Sequence, residues 1–325
     1  MQRLKVKRLK VLLCGSHYGR SYLPALEASP PAYELVGLLA RGSLRSQELA
    51  AELRIPLVRS VSELRGTVDI ACAALGVSGC GQVLELLERS TSVLCEHPQS
   101  PQFLQSAFDV SARRGVGFHV NAHFAYLKAP AAFVDASQQC CRVARPLFLD
   151  VMLTDRAMYA ALDILRRAIG SCQVDAFSRM SRSKPFTILR GRLAGIPTTF
   201  QIQESFAADG ERVPDSSPAY LVDCRLTLGF STGILSLGSI HGPVIWNSAA
   251  VTLVGPESPL WEDVQGSGAP IASAIAEQRT RANRQALDAL VRQMQGQMIP
   301  DDQTPGHVLE VASAWDYLGR FLTAS

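Results

Sequence analysis

The sequence has no apolar run approaching the roughly 20 residues that cross a bilayer. Its 325 residues contain no internal repeat and no low-complexity tail. An excess of one charge is missing too: 32 Lys and Arg stand against 29 Asp and Glu, a formal net charge of +3. Apart from Lys5-Val6-Lys7-Arg8 the basic residues are scattered, so neither a nucleic-acid footprint nor a membrane-surface patch results. The basic start runs into an apolar stretch ending at Cys14 that is far shorter than the about 7 to 15 residues of a secretory signal core. The eight cysteines include no C-x-x-C pair and no Cys/His cluster at zinc spacing. Cys14, Cys72 and Cys95 sit inside strand-like apolar runs, and Cys140 and Cys141 are adjacent. These are read as buried free thiols, which predicts no metal and a reducing, cytoplasmic setting.

What the chain does have is hydrophobic sequence, 47% of it, enough for a large core and, at this length, for two domains. Through residue 121 strand and helix patterns alternate. Strands are predicted at Val11–Cys14, Tyr33–Ala40, Val68–Leu75, Ser92–Cys95 and Gly117–Asn121. Helices are predicted at Leu44–Leu53, Gln82–Arg89 and Pro101–Arg114, with another starting near Gly19. Repeated βα units of this kind make residues 1–122 a doubly wound parallel sheet of the Rossmann type. From Ala144 the pattern changes. A strand at Arg145–Leu153 and a helix at Asp155–Ile169 precede strand-like runs at Thr187–Leu193, Thr198–Ser205, Tyr220–Leu228, Gly233–Ser239 and Pro243–Leu253. Val254–Gly268 reads as a loop, and helices follow at Ile271–Met298 and Val308–Leu322. Residues 123–325 are thus expected to form an α+β domain with a largely antiparallel sheet. Its C-terminal helices are expected to pack back on the first domain through the stripe Leu287, Leu290, Val291 and Met294.

Ligands of such parallel sheets bind outside the carboxyl ends of the strands. After the first strand, Gly15-Ser16-His17-Tyr18-Gly19 reads as a tight turn into a helix start, where glycine lets backbone approach a pyrophosphate and free N–H groups favour the anion. The middle glycine of G-x-G-x-x-G is missing and the loop is one residue short, so the stretch also suits a plain β-turn. After the second strand, Arg41, Ser43, Arg45 and Ser46 occupy the place where NAD sites carry an acid for the ribose hydroxyl. Two guanidiniums and two hydroxyls match a 2′-phosphate, so NADPH is the expected cofactor. Ser43 equally fits a helix N-cap, and the arginines fit solvated surface.

The fourth strand exits into Glu96-His97-Pro98. A strand followed by Glu, a basic residue and Pro after repeated βα units resembles the Glu-Lys-Pro pattern of the Gfo/Idh/MocA-like oxidoreductases, with His97 where most members carry lysine. The stretches LVGLLARGSLRSQELA (35–50), CEHPQSP (95–101), HVNAHF (119–124) and GPVIWNSA (242–249) are similar to the thiazolinyl imine reductases of yersiniabactin and pyochelin siderophore biosynthesis. The likeness covers residues 8–135 and an island near 240–250. It implies NADPH-dependent reduction of a thiazoline C=N on a substrate held by the carrier domain of a nonribosomal peptide synthetase, by a homodimer.

Under that resemblance His97 is the expected acid, because protonating a weakly basic ring nitrogen needs a positioned donor and histidine titrates near neutrality. The plain alternative is a strand-end histidine bonded to backbone. Glu96 and Asn121 are expected beside the cofactor. The family's tyrosine falls on Phe124, leaving Tyr126, and after it His123, as the second acid, or His97 acting alone with these residues as pocket wall. Phe124 and Trp246 are expected walls for an aryl-thiazoline, with core packing an equal reading of Trp246; His241 lies in the same island. A non-catalytic NADP-binding regulator, or a general Gfo/Idh oxidoreductase of another small cyclic substrate, competes with this reading. His97 favours the enzyme.

Overall fold

The computed structural model describes residues 8–28, 32–183, 185–204, 223–248, 261–263 and 272–323. By contact it divides into two units, Met1–His123 with Arg279–Leu309, and Phe124–Gln278 with Glu310–Ser325.

The first unit is built on a six-stranded parallel sheet of β1 (Leu9–Cys14), β2 (Tyr33–Leu39), β3 (Leu57–Val58), β4 (Ile70–Ala73), β5 (Ser92–Glu96) and β6 (Phe118–Asn121). The order is β3-β2-β1-β4-β5-β6, the doubly wound arrangement whose crevice opens where the order reverses, between β1 and β4. The central strands are apolar on both faces: Val11 to Cys14 and Ile70 to Ala73 are all buried. α2 (Leu44–Leu53) and α4 (Pro101–Arg114) have the predicted bounds because each carries a serine N-cap, Ser43 and Ser100, whose Oγ accepts from a first-turn N–H. α3 spans Cys80–Glu88. From α7 (Ala272–Met294), Ala286, Leu287 and Leu290 enter the core formed by Val11, Leu13, Leu38 and Leu94, and Val291 packs against it. Met294 is 36% exposed.

One strand of this unit is not predicted and one expectation is corrected. β3 is only two residues long and carries no periodic signal. The segment after the first strand is a 3-10 turn at Tyr18–Tyr22 leading into a five-residue α1 (Leu23–Glu27), with Pro24 at its start, and not a full amphipathic helix. A helix this short has little macrodipole, so the anion-attracting argument passes to the turn's own backbone and to α2.

The second unit carries an eight-stranded sheet ordered β14-β13-β12-β11-β7-β10-β9-β8. Its strands are β7 (Phe148–Thr154), β8 (Val174–Ser183), β9 (Phe186–Leu193), β10 (Ile196–Gln203), β11 (Cys224–Phe230), β12 (Gly233–Leu237), β13 (Val244–Ser248) and β14 (Trp261–Asp263). All pairs are antiparallel except β10 with β7. One face buries Leu149, Val151, Leu226, Leu228 and Leu235. The sequence reading passed over three of these elements. α5 (Lys128–Val143) has Pro130 in its first turn and two cysteines near its end, which blur its period. β8 exposes eight of its ten residues, all but Phe177 and the half-buried Val174, so it shows no alternation. β14 interrupts the stretch expected to be loop; residues 254–260 and 264–268 of that stretch lie outside the described residues, as do Ser205, 220–222 and 249–253 of the predicted strands. α6 (Met158–Ile169) follows a 3-10 turn at Asp155–Ala157, and α8 spans Pro305–Thr323.

Candidate active site

A cleft of about 850 Å³ lies at the carboxyl ends of β1, β2 and β4, lined by Gly15, Ser16, His17, Arg41, Ser43 and Arg45 together with Ala74, Leu75, Ser78 and Gly79. Gly15 is there for two physical reasons. Its φ of +93° is strained for any other residue, and an added Cβ would lie 2.3 Å from the Ala74 carbonyl oxygen on the adjoining strand exit. Gly19 lies below the turn, where a Cβ would meet the Cys14 carbonyl oxygen at 3.2 Å. It therefore serves the close helix-to-strand packing of the third fingerprint glycine. Tyr18 is 46% exposed and outside that lining.

The β2 exit gathers positive charge. Arg45 Nη1 lies 3.2 Å from His17 Nδ1, which ties the first strand's turn to the second's. A guanidinium absent from the expected set joins them: a Cβ on Gly42, whose φ is +85°, would lie 2.8 Å from Arg59 Nε. Ser46 is corrected. It is fully buried, and its hydroxyl donates to the Ser43 carbonyl at 2.7 Å within its own helix turn, so it is not presented to the cleft. Ser43 Oγ both lines the cleft and caps α2, accepting from Ser46 N–H at 3.4 Å. A dinucleotide fits this arrangement: a glycine turn with no room for side chains, an α2 N-terminus, and arginines where a ribose phosphate would sit.

At the β5 exit His97 Nδ1 lies 2.7 Å from the Asn121 carbonyl oxygen. A carbonyl only accepts, so Nδ1 carries the proton and Nε2 is the ring's other nitrogen. Beneath it is a buried polar group. Tyr22 O–H donates to Glu96 Oε1, and Asn121 Nδ2 donates to the same oxygen at 2.7 Å. Asn121 Nδ2 also lies 3.1 Å from Asn283 Oδ1, and Asn283 Nδ2 donates to the Ser21 carbonyl at 2.9 Å. Glu96 Oε2 is 3.9 Å from His97 Nδ1. Burial pushes the Glu96 carboxyl up, opposed by His97 and by the Tyr22 and Asn121 donors. Burial, then Glu96, pushes the Tyr22 phenol well up, so it keeps its proton. Glu96 and Asn121 thus sit in the shelf that holds His97. Tyr22 and Asn283 were not singled out from sequence; Tyr22 showed only helical apolar spacing, and Asn283 lies 162 positions from Asn121.

His123, fully buried, stands 6.2 Å from the His97 ring, centroid to centroid. Burial first, then His97 and Arg279, pushes it down to about 3. It is a neutral imidazole at pH 7 and is no imidazolium donor.

Phe124 and Tyr126 open the second unit, and both are half-buried. The Arg167 guanidinium covers the Tyr126 ring at 4.7 Å, while its Nε donates to Asp163 Oδ2 at 2.9 Å. Trp246 packs on its own sheet. Its ring lies where a Cβ on Gly233 would come within 2.5 Å, and it is 6.2 Å from Phe230, so the contacts seen are core contacts. His241 occupies the β12–β13 turn, its N–H donating to Ser239 Oγ. Among the described residues no group of three or more His, Cys, Asp or Glu could hold a metal, and all eight cysteines are free.

Residues 9–122 match the family model described as oxidoreductase family, NAD-binding Rossmann fold (GFO_IDH_MocA). Residues 144–247 match the thiazolinyl imine reductase Irp3-like C-terminal model. The chain joins a Gfo/Idh/MocA oxidoreductase domain to an Irp3-like domain. The oxidoreductase has no match among curated proteins. Solved structures share its fold. GenD2 from gentamicin A biosynthesis, in complex with NAD, has a TM-score of 0.71 at 14% identity over 98% of this chain and 95% of that one. The WlbA dehydrogenase from Bordetella pertussis, in complex with NADH and UDP-GlcNAcA, gives 0.71 at 11% over 98% and 96%. An oxidoreductase from Agrobacterium radiobacter, in complex with NAD+, L-tartaric acid and magnesium, gives 0.71 at 11% over 98% and 97%.

Proposed function

We propose that this oxidoreductase reduces the C=N bond of a thiazoline to a thiazolidine with NADPH, on a siderophore intermediate carried by a nonribosomal peptide synthetase. The observation that carries the reading is His97: an imidazole stands at the β5 exit with Nδ1 committed to a carbonyl and Nε2 as its other nitrogen. When bound, reduced nicotinamide supplies the hydride. His97 supplies the proton from Nε2 to the substrate nitrogen and returns to neutral imidazole, with Nδ1–H retained on Asn121 throughout. Gly15, Ser16 and His17 would hold the pyrophosphate, and Arg45, Arg41 and Ser43 the 2′-phosphate. Tyr126 is the second proton donor in this reading, and Phe124 with Trp246 the aromatic wall. The Irp3-like domain supports imine over alcohol as the substrate.

The partner in this reading is the synthetase's carrier domain. A net charge of +3 gives weak steering, so the tethered substrate contributes much of the binding. A cytoplasmic location is part of the proposal; among the described residues no helix is long and apolar enough to cross a membrane. So is a homodimer, supported by Phe148 and Ile234 exposed on the second sheet, and light scattering should return twice the chain mass. The test is a comparison of substrates: the carrier thioester should be reduced with a much higher kcat/KM than the free acid of the same thiazoline. Equal rates would make the protein a general cyclic imine reductase.

A further inference from the structure

Arg41 and Arg45 belong to the β2 exit by sequence, but the third guanidinium there comes from another strand. Arg59 follows β3 directly, and its side chain returns over the β2 exit. A Cβ on Gly42 would lie 2.8 Å from Arg59 Nε and 3.2 Å from both Cζ and Nη2. We propose that Arg59 is a cofactor-specificity residue: together with Arg41 and Arg45 it holds the ribose 2′-phosphate of NADPH, and so makes the protein prefer that cofactor to NADH. The inference rests on the NADPH reading above and adds to it a residue that the residues following β2 do not reveal.

Arg59 is fixed at the border of the cleft by its backbone as well as its side chain. Its carbonyl accepts from Gln82 Nε2 of α3 at 3.2 Å, and its N–H donates to Glu63 Oε2 at 2.9 Å. Gln82 and Gly42 both line the cleft, so a residue bonded to one and packed on the other borders it. The guanidinium takes the room that a side chain at position 42 would fill. Glycine there serves the positive φ of +85° and the close approach of Arg59 together.

The positive charge at this exit has no carboxylate to answer it. Glu63, four residues on, uses its oxygens for the Arg59 N–H and the Ser60 hydroxyl. Glu85 is the acid in the cleft lining and is exposed on α3. Among the described residues no carboxylate pairs with the guanidinium of Arg41, Arg45 or Arg59. Like charges gathered in this way repel, and a bound anion reverses the sign of that energy. A phosphomonoester brings a charge of about −1.5 to −2 and three acceptor oxygens. One guanidinium fork engages two oxygens, and Arg45 has Nη1 already at 3.2 Å from His17 Nδ1. Arg59 supplies a further fork. The 2′-hydroxyl of NADH is neutral and gains little from it, which is why this residue discriminates between the two cofactors.

The experiment is isothermal titration calorimetry of the full-length protein, without substrate, with NADP+ and with NAD+. Wild type should bind NADP+ the more tightly. Arg59→Met keeps an apolar stem over Gly42 and removes the fork; it should raise the Kd for NADP+ by about 10-fold to 100-fold while the Kd for NAD+ stays within about twofold. Arg59→Lys, which keeps the charge without the planar fork, should fall between wild type and Arg59→Met. Equal weakening of both cofactors in Arg59→Met overturns the proposal, because it makes Arg59 a support for the turn at Gly42. Unchanged NADP+ binding overturns it too, and if Arg45→Ala then abolishes the preference, the NADPH reading stands on the β2 arginines alone. A wild-type protein that binds NAD+ as tightly as NADP+ removes the 2′-phosphate reading itself, and the assignment of Arg59 with it.

Discussion

The two ends of the first unit's crevice are built on opposite principles. At the β5 exit His97 stands over a shelf where Tyr22, Glu96, Asn121 and Asn283 are buried and bonded to one another. At the β2 exit Arg41, Arg45 and Arg59 place guanidiniums near solvent at a helix N-terminus. Buried neutral donors fix a geometry, because leaving one unmade is costly. Exposed cations select a ligand by charge and are screened by salt. Substitutions at the shelf should therefore alter turnover, and those at the rim should alter cofactor choice.

The largest effect is expected at the shelf's outlet. His97→Gln should lower kcat by about 10²-fold to 10⁴-fold, the usual range for a positioned acid, with the Kd for NADPH unchanged by fluorescence titration. A rise in Kd matching the loss in kcat would erase the contrast between the two ends. Next is the rim: Arg45→Ala should raise the KM for NADPH by roughly 10-fold to 150-fold, from about 1.5 to 3 kcal/mol for a charge-assisted bond, while NADH use stays level. Equal losses with both cofactors would remove the 2′-phosphate from this site.

Stability should respond to pH through two buried histidines of the first unit, His119 and His123. Burial holds His119 down at about 4 and His123 at about 3, against an ordinary 6.5. Below 6.5 the unfolded chain takes up protons that the folded one refuses, so stability should fall as pH drops from about 6.5 towards 4. Each unit of pKa difference is worth about 1.4 kcal/mol. Glu96, held up by burial, acts in the opposite sense. Calorimetry at pH 7.5 and pH 5 (values chosen at about one unit or more on either side of the ordinary histidine value) should show a lower Tm at the acid end, with a smaller drop in His119→Gln. A flat profile would mean these imidazoles are not kept neutral by the fold. The smallest effect is at Ser43. Ser43→Ala should cost about 1 kcal/mol of stability through the lost N-cap. An unchanged NADPH/NADH ratio would make it a cap alone, and a shifted ratio would add it to the phosphate site.

These ends also differ in how far sequence reveals them. The rim was legible because its parts are local. Ser43 begins α2 at the predicted residue, Gly15 stops β1, and Arg41 and Arg45 follow a single strand. His97 was legible for the same reason, as the exit of an apolar strand. The shelf was not. Tyr22, Asn121 and Asn283 meet through pairings 99 and 162 residues apart, and a buried tyrosine at a helical apolar spacing looks like any core residue until its hydroxyl's partner is known. Ser46 misled because the same hydroxyl pattern serves a ligand or a helix turn. In the second unit β8 and α5 were missed because exposure in one and Pro130 with Cys140-Cys141 in the other erase the period.

The central claim is that this site delivers hydride to carbon and a proton to nitrogen of a carrier-bound thiazoline. Intact-mass spectrometry of a thiazoline–carrier conjugate, incubated with protein and NADPH deuterated at the transferable position, tests it most directly. The account predicts that the conjugate gains one deuterium and one hydrogen with wild-type protein and far more slowly with His97→Gln. A conjugate of unchanged mass after NADPH and wild-type protein would contradict it.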